Sequence, residues 1–264
     1  MEKIKNRFNK RTDGRIYQMA YKPAPKLRDD SLYSVIECGA YFNSRHFAIR
    51  DDCGENISSL NPSYAENTGI YWLWKNRETD FRYLGVCQYR RRLKLPQNTD
   101  FDAVFQDFNA MGCCLSTKEL NPAFATVREQ FCYWHGAQHL DLISNIVYNK
   151  HNWFYDAWIT ALEQDIIFAS TCFVMKAEDY DKYCELLFSI LHEFMEYYGG
   201  TVDSLDYSLH QEIAAGEFID NLAGHELHMG YIYQTFMPAF VAERILTAYM
   251  LNLGKIKKLP YEYV

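Results

Sequence analysis

Apolar runs alternate with amphipathic stretches along most of this chain. Short apolar runs flanked by turn residues predict strands at 15–21, 81–89 and 111–116, and residues 32–40 form either a strand or a short helix. A longer apolar run from Ile166 to Met175 is interrupted only by Ser170 and Thr171. Because such a run is typical of a strand buried on both faces, it predicts a central strand over 165–176.

Apolar residues at helical spacing predict the other elements. Helices are expected over 61–76, 124–149, 151–163, 178–198, 203–222 and 238–252, and a Lys-rich tail follows the last of them. The first helix begins at Asn61 as N-cap, with Pro62 as its first helical residue. Both faces of that helix are apolar, so the carboxylate of Glu66 on it requires a polar partner or a ligand.

Strands and helices alternate without an internal repeat or a linker. This order predicts an α/β fold: one domain with a mostly parallel sheet and flanking helices. We expect the domain at 15–258, after a basic N-terminal tail at 1–14. Residues 1–15 carry six basic side chains against two acidic ones. The tail is therefore either a solvated segment or a contact with an anionic membrane surface.

Composition excludes several classes of protein. The 264 residues carry a net charge of −7, which argues against a nucleic-acid partner. No stretch approaches the length of a membrane-spanning helix, and the N-terminus lacks the apolar core of a signal peptide, so we expect a cytoplasmic location. The eight Cys fit no zinc template and are expected to be buried thiols. Aromatic residues make up 16%, which suits either an aromatic core or sugar and base stacking.

A run of three arginines, Arg90 to Arg92, follows the strand predicted at 81–89. In open α/β sheets, ligands bind beyond the carboxyl ends of the strands. Because the forked donors of arginine match phosphate oxygens, a diphosphate is a natural ligand for this run. The alternative is a solvated basic turn.

Other candidate groups carry weaker signals. Glu243 beside Arg244 is either an ion pair or a general base with its charge partner. Glu129 and His135 lie near further His and Asp residues, but without the spacing of a recognised metal site. The chain has no Gly-rich phosphate loop, no Gly-x-Ser-x-Gly and no His-Glu-x-x-His.

Several segments together form a pattern that resembles a known family. They are Asp52-x-Gly-x-Asn56-Ile-Ser58, Asn61-x-x-Tyr64-x-Glu66-x-Thr68-x-x-Tyr71-Trp72-x-Trp74-Lys75-Asn76, Tyr83-x-Gly85-x-x-x-Tyr89-Arg90-Arg91, Val127-x-Glu129-Gln130-Phe131 with His135, Phe173-Val174-Met175-Lys176 and Phe240-x-Ala242-Glu243-Arg244. The family is that of bacterial glycosyltransferase-like domains, long of unknown function, from capsule, exopolysaccharide and O-antigen gene clusters. The resemblance covers about residues 15–255. Its Tyr-Trp-x-Trp-Lys-Asn and Tyr-Arg-Arg blocks are fairly specific together.

The chain departs from the family pattern at two places. Gln88 replaces a His before the two arginines, and Ala20, Tyr21 and Lys22 stand where Thr-His-Lys is usual. A lone Asp-x-Asp at Asp100 and Asp102 matches the cation motif of many nucleotide-sugar transferases, but a lone match is a weak signal.

The resemblance implies a GT-A-like fold and a set of roles. The nucleobase would lie by Tyr21 and Lys22, the diphosphate on Arg90 and Arg91, and Glu243 would deprotonate the acceptor hydroxyl. The implied catalytic residues are Glu243 and Glu66, and the implied substrate-binding residues are Tyr21, Lys22, Asn56, Glu66, Lys75, Asn76, Gln88, Tyr89, Arg90, Arg91, His135 and Arg244. Glu66 and Asn56 would hold ribose or sugar hydroxyls. No residue is assigned to a metal, and Mn²⁺ or Mg²⁺ is compatible with the motifs but required by none.

The implied activity is an inverting hexosyl transfer in bacterial surface-polysaccharide synthesis. The donor would be a UDP-linked sugar, with galactofuranose among the candidates, and the acceptor a lipid-linked glycan or an oligosaccharide. Two alternatives remain at this point. One is a degenerate member that holds nucleotide sugar or glycan without turnover, which Gln88 slightly favours, and the other is a phosphosugar transferase.

Overall fold

The computed structural model describes residues 13–43, 45–77, 81–96, 99–197 and 236–263. The strands are β1 Gly14–Ala20, β2 Tyr33–Glu37, β3 Ile49–Arg50, β4 Tyr83–Gln88, β5 Arg91–Leu93, β6 Ala110–Gly112, β7 Leu115–Ser116, β8 Ile166–Ile167, β9 Phe173–Lys176, β10 Ile256–Lys258 and β11 Tyr261–Tyr263. The helices are α1 Asn61–Tyr64, α2 Asn67–Asn76, α3 Phe101–Asp107, α4 Thr117–Leu120, α5 Val127–His135, α6 Ala137–Lys150, α7 Asn152–Leu162, α8 Ala177–Tyr197 and α9 Met237–Leu253. Residues 1–12 of the expected tail and the helix expected at 203–222 lie outside the described residues.

Nine of the described strands form one mixed sheet with the order β10-β6-β9-β4-β1-β2-β3. The pairs β1–β2, β1–β4, β2–β3 and β6–β10 are parallel. Strand β9 runs antiparallel to both of its neighbours, β4 and β6. Beside this path, β5 pairs with β4 and with β11. The expected α/β fold with flanking helices is confirmed, and the reversed β9 makes its sheet mixed.

The central strands are apolar on both faces because both faces of the sheet are covered. In β4, Leu84 and Val86 point into the larger core, which the helices α5 to α9 share, whereas Tyr83 and Cys87 point into a smaller core against α3. A strand covered on both sides reads as a continuous apolar run. No helix within the described residues is both long and apolar enough to cross a membrane.

Two elements expected to be continuous are interrupted. The helix expected at 61–76 is divided between α1 and α2 at Ala65, whose φ of 48° and ψ of −131° leave the helical region. Asn61 lies in the first turn, where its side chain donates to the Ala65 carbonyl at 2.8 Å, and is not the N-cap. The strand expected at 165–176 is divided by a short turn at Ala169–Thr171, in which Ser170 and Thr171 are left-handed.

Three further expectations need correction. The arginine run, expected at the terminus of a strand or in a solvated turn, is divided: Arg90 lies with Tyr89 in the turn of a β-hairpin, whereas Arg91 and Arg92 belong to β5, which pairs with β4. The helix expected at 124–149 is divided at Gly136, whose φ is 88°. The Lys-rich tail forms β10 and β11 and completes the sheet.

Candidate active site

One edge of the sheet gathers most of the residues that the sequence singled out. Tyr21 and Lys22 follow β1, and Tyr89 and Arg90 follow β4, whose neighbouring ends are aligned in the parallel pairing. Because β9 is reversed, the residues that precede it, and not those that follow it, lie at the same edge. The carboxyl ends of β1 and β4 thus meet the turn at Ala169–Thr171, a usual place for a ligand site in α/β sheets.

Glu66 lies at the start of α2 and is half-buried at this edge. The break at Ala65 removes it from the continuous helix face on which the sequence pattern places it. Its Oε1 accepts hydrogen bonds from Gln88 Nε2 at 2.6 Å and from Thr171 Oγ1 at 2.8 Å. Both bonds use the same oxygen, and no bond from another described residue to Oε2 is seen.

Glu243, on the first half of α9, is the second carboxylate of this region. The Ser170 backbone N–H donates to its Oε1 at 2.8 Å, and Arg244 Nη1 donates to its Oε2 at 3.0 Å. Burial raises the pKa of Glu243, and the charge of Glu66 adds to this rise, while Arg244 and the Ser170 N–H oppose it. The side chain is still 21% exposed, so a solute can reach it.

Arg244 and His135 lie behind Glu243 in the core. Arg244 is 2% exposed; it donates to the Phe240 carbonyl at 2.9 Å and to Gln130 Oε1. His135 stacks on Phe240 with ring centroids 4.2 Å apart. Burial and the nearby charge of Arg244 lower the pKa of His135 to about 2, so the ring is neutral at physiological pH. The geometry supports a packing role for His135, behind the carboxylate that Arg244 orients.

The three arginines have different surroundings. Arg90 is exposed and lies over the Tyr89 ring at 5.1 Å. Arg91 donates to the Ser170 hydroxyl. Arg92 forms an ion pair with Glu262 of β11 at 2.8 Å. Arg90 and Arg91 therefore face the edge of the sheet, whereas Arg92 is used to hold β11.

Two tyrosines form the other side of the edge. Tyr89 donates to the Tyr21 hydroxyl at 3.2 Å, and the rings meet edge to face at 5.1 Å. Partial burial alone would raise the pKa of Tyr21, but the hydrogen bond from Tyr89 and the charges of Lys22 and Arg90 lower it. Tyr21 is 44% exposed and presents an aromatic face beside two cations.

Residues of the Tyr-Trp-x-Trp-Lys-Asn block contact the loop at 51–57 and hold it in place. Trp72 Nε1 donates to the Cys53 carbonyl at 2.7 Å, and Asn76 bonds both the N–H and the carbonyl of Glu55. Lys75 forms an ion pair with Glu55 at 3.4 Å. Asn56 closes a turn in the same loop by donating to the Gly54 carbonyl at 2.9 Å. The structure therefore gathers Asn56, Lys75 and Asn76 at this loop, in contacts that hold its backbone.

Three residues at or near the edge escaped the sequence reasoning. Asp51 is fully buried and accepts hydrogen bonds from Gly39, Ala40, Ser58 and Thr68. It ties the turn after β2 to the start of α2. The others are Ser170 and Thr171, whose only signal was that two polar residues interrupt an apolar run.

The two acidic residues of the Asp-x-Asp pattern, Asp100 and Asp102, are bonded to other residues of the fold. Asp100 caps α3 by accepting from the Ala103 N–H, and Asp102 pairs with Arg82 at 2.6 Å. Asp102 also accepts from the Tyr83 hydroxyl at the opposite end of β4 from Gln88. Among the residues that the structure describes, no three His, Cys, Asp or Glu side chains form a group that could hold a metal ion.

Comparison with known proteins places the fold and the family. The chain aligns with the solved apo structure of the WbbM bifunctional glycosyltransferase with a TM-score of 0.71 and 20% identity, over 95% of this chain and 45% of that one. This likeness confirms the expected GT-A-like fold, and the chain spans less than half of the protein it matches. No curated protein matches the sequence significantly. The profile of the family described as a domain of unknown function, DUF4422, matches residues 15–212. Since that match covers more than half of the sequence, the chain belongs to the DUF4422 family.

Proposed function

We propose that this protein is an inverting glycosyltransferase that moves a hexose from a UDP-linked sugar to a glycan acceptor. The observation that carries the proposal is that the adjacent residues Ser170 and Thr171 bond two carboxylates, those of Glu243 and Glu66, and that Arg91 of β5 donates to the same turn. A sugar transfer requires a base for the acceptor and cations for the leaving diphosphate, and this edge offers both. The fold likeness to a glycosyltransferase supports the same reading.

The donor would lie along the carboxyl ends of β1 and β4. The exposed face of Tyr21, with Lys22 at 5.2 Å from its ring, suits a nucleobase. Arg90 and Arg91 would bind the diphosphate and neutralise the charge that develops as it departs. Glu66 Oε2 would accept from a hydroxyl of the sugar or the ribose. Since two arginines can stabilise the leaving group, the proposed reaction is compatible with a Mn²⁺ or Mg²⁺ ion but does not require one.

Glu243 would act as the general base. Its carboxylate takes the proton of the acceptor hydroxyl, whose oxygen forms a bond to the anomeric carbon while the bond from that carbon to the diphosphate breaks. The bonding electrons leave with the diphosphate, towards Arg90 and Arg91. Attack from the face opposite the leaving group inverts the anomeric centre. The raised pKa of Glu243 makes it a better proton acceptor than an exposed glutamate.

The remaining parts of the proposal rest on the family resemblance. We propose a role in the synthesis of a bacterial surface polysaccharide, with galactofuranose among the candidate sugars and a lipid-linked glycan or oligosaccharide as acceptor. A lipid-linked acceptor would place the enzyme at the cytoplasmic face of the membrane, where the basic residues of the N-terminal tail would meet anionic lipid.

Binding of the nucleotide is the first test. Purified protein is heated with UDP, GDP, CMP or dTDP, with and without Mn²⁺ or Mg²⁺. A ligand at about 100 times its dissociation constant adds about 2.7 kcal/mol to the stability, which a thermal shift readily detects. We expect a rise with UDP that Arg90→Ala and Arg91→Ala abolish. Arg92→Ala is the matched control, since Arg92 pairs with Glu262 and should leave the rise intact. No rise with any nucleotide contradicts the donor site.

A nucleotide-sugar-binding module without turnover is the second candidate. It is favoured by Gln88, which stands where the family has a His and is bonded to Glu66 at 2.6 Å. Release of nucleotide from a bound nucleotide sugar separates the two functions: a transferase releases it, and Glu243→Ala stops the release. Release of a nucleoside diphosphate supports glycosyl transfer, whereas a monophosphate would indicate a phosphosugar transferase.

A further inference from the structure

The turn at Ala169–Thr171 has an unusual backbone. Ser170 has φ and ψ of 63° and 18°, and Thr171 has a φ of 47°. Left-handed residues other than glycine are uncommon, and a β-branched threonine there is an outlier. Two such residues in succession persist only where their surroundings determine the conformation, and conformations of this kind cluster at functional sites.

Contacts from other elements fix the turn at both ends. The Tyr261 hydroxyl of β11 donates to the Ala169 carbonyl at 2.7 Å. The backbone N–H of Phe168 donates to Thr247 Oγ1 of α9 at 3.0 Å. After the turn, β9 is held between β4 and β6. The left-handed pair is therefore held in place by β11, α9 and the main sheet.

Three polar groups of the turn, two from Ser170 and one from Thr171, each bond a different residue. The Ser170 hydroxyl accepts from Arg91, the Ser170 N–H donates to Glu243 Oε1, and the Thr171 hydroxyl donates to Glu66 Oε1. The three partners come from β5, α9 and the start of α2, which are far apart in the sequence.

We infer that Ser170 and Thr171 are positioning residues that orient Arg91 towards the diphosphate and Glu66 towards the sugar of the donor. This inference rests on the proposed function and assigns a separate role to each of the two residues. Through Arg91, Ser170 affects binding of the nucleotide part of the donor. Through Glu66, Thr171 affects binding of the glycosyl part. Neither hydroxyl takes part in the chemistry, because each is already bonded to a residue that would touch the substrate.

The test compares the affinity for UDP with that for a UDP-sugar by titration calorimetry. Ser170→Ala is expected to weaken both about fivefold, since the orienting hydrogen bond to Arg91 is lost. Thr171→Val is expected to weaken only the UDP-sugar, about fivefold, because the inference has Glu66 bind a hydroxyl of the sugar and not one of the ribose, which UDP also carries. Thr171→Ser, which keeps the hydroxyl, should restore the affinity for the UDP-sugar.

Ser170→Gly separates positioning from folding. Glycine adopts the left-handed conformation without strain, so this variant should be at least as stable as Ser170→Ala. If the hydroxyl positions Arg91, both variants bind UDP equally weakly. The two variants at each position are also compared in thermal stability. If their affinities for UDP or the UDP-sugar rank in the same order as their thermal stabilities, the residue has a structural role and the inference is wrong.

The remaining outcomes are also decisive. If the wild-type protein binds UDP and the UDP-sugar and all four variants bind them equally well, the inference is wrong and the proposed function stands. If the wild-type protein binds none of UDP, GDP, CMP and dTDP, and none of the corresponding nucleotide sugars, the proposed function is wrong. The inference, which rests on it, is then wrong too.

Discussion

The two glutamates of the candidate site show how surroundings assign different roles to one residue type. Glu66 receives two side-chain donors on a single oxygen, which fixes its orientation, and its other oxygen is the one proposed to bind a donor hydroxyl. Glu243 receives one donor on each oxygen and is half-buried beside the buried Arg244. Burial raises its pKa, and the adjacent cation limits that rise. A raised pKa suits a proton acceptor, which is the role proposed for Glu243.

The pH dependence of turnover tests this assignment. A general base must be ionised, so the rate should fall as the pH decreases through the pKa of Glu243, which lies above the ordinary value of 4.5. Glu243→Gln should lower kcat by about 10²–10⁴-fold while UDP still binds. The pH–rate profile from about pH 4 to 8 checks both points.

A matched control is Glu163→Gln, which removes an exposed carboxylate that pairs with Arg128. Its pH profile should equal that of the wild-type protein. Loss of UDP binding in Glu243→Gln, or an unchanged acidic limb, would argue against Glu243 as the base.

The division between α1 and α2 stores backbone strain at a single residue. Ala65 has a φ and ψ that alanine rarely adopts, whereas glycine adopts them readily. Ala65→Gly should therefore increase the free energy of unfolding by about 1 kcal/mol, measured by urea denaturation. Ala157→Gly, inside the regular helix α7, should decrease it by about 1 kcal/mol. Equal losses in both variants would show that the conformation at Ala65 is not strained.

Most elements could be predicted because their patterns are local. The spacing of apolar residues predicts the start of α8 and both ends of α9 to within one residue. The interruptions at Ala65 and Ser170 could not be predicted, since neither residue favours a positive φ. The conformation at Ser170 is held by contacts with distant segments, such as the bond between Tyr261 and Ala169. Propensity and periodicity do not contain that information.

The site was only partly predictable for the same reason. Arg90, Arg91 and Glu243 were suggested by their types and neighbours, and the structure places them at or beside one edge. Ser170 and Thr171 were seen only as an interruption, because β9 had to be reversed before they could lie there. Lys75 and Asn76 are predicted to bind substrate, and in the structure both contact Glu55 of the loop at 51–57, a contact with a distant segment that the spacing of the block does not show.

Across the whole molecule, the core protects most of the thiols. All eight Cys are free; Cys53 is exposed, Cys114 and Cys132 are half-buried, and five are buried. Burial raises the pKa of the buried Cys87, which disfavours its reactive thiolate. With a thiol reagent, we therefore expect one fast reaction, two slow ones and five that require unfolding. Cys53→Ser should abolish the fast phase, and more than three accessible thiols in the native protein would contradict this packing.

The pairing of β10 with β6 and of β11 with β5 has a consequence for synthesis on the ribosome. These two strands emerge after all others of the sheet. Until then, β5 and β6 are edges with unpaired N–H and C=O groups, which other chains can join. The nascent protein thus passes through a stage prone to aggregation, and chaperone dependence should be concentrated in this interval.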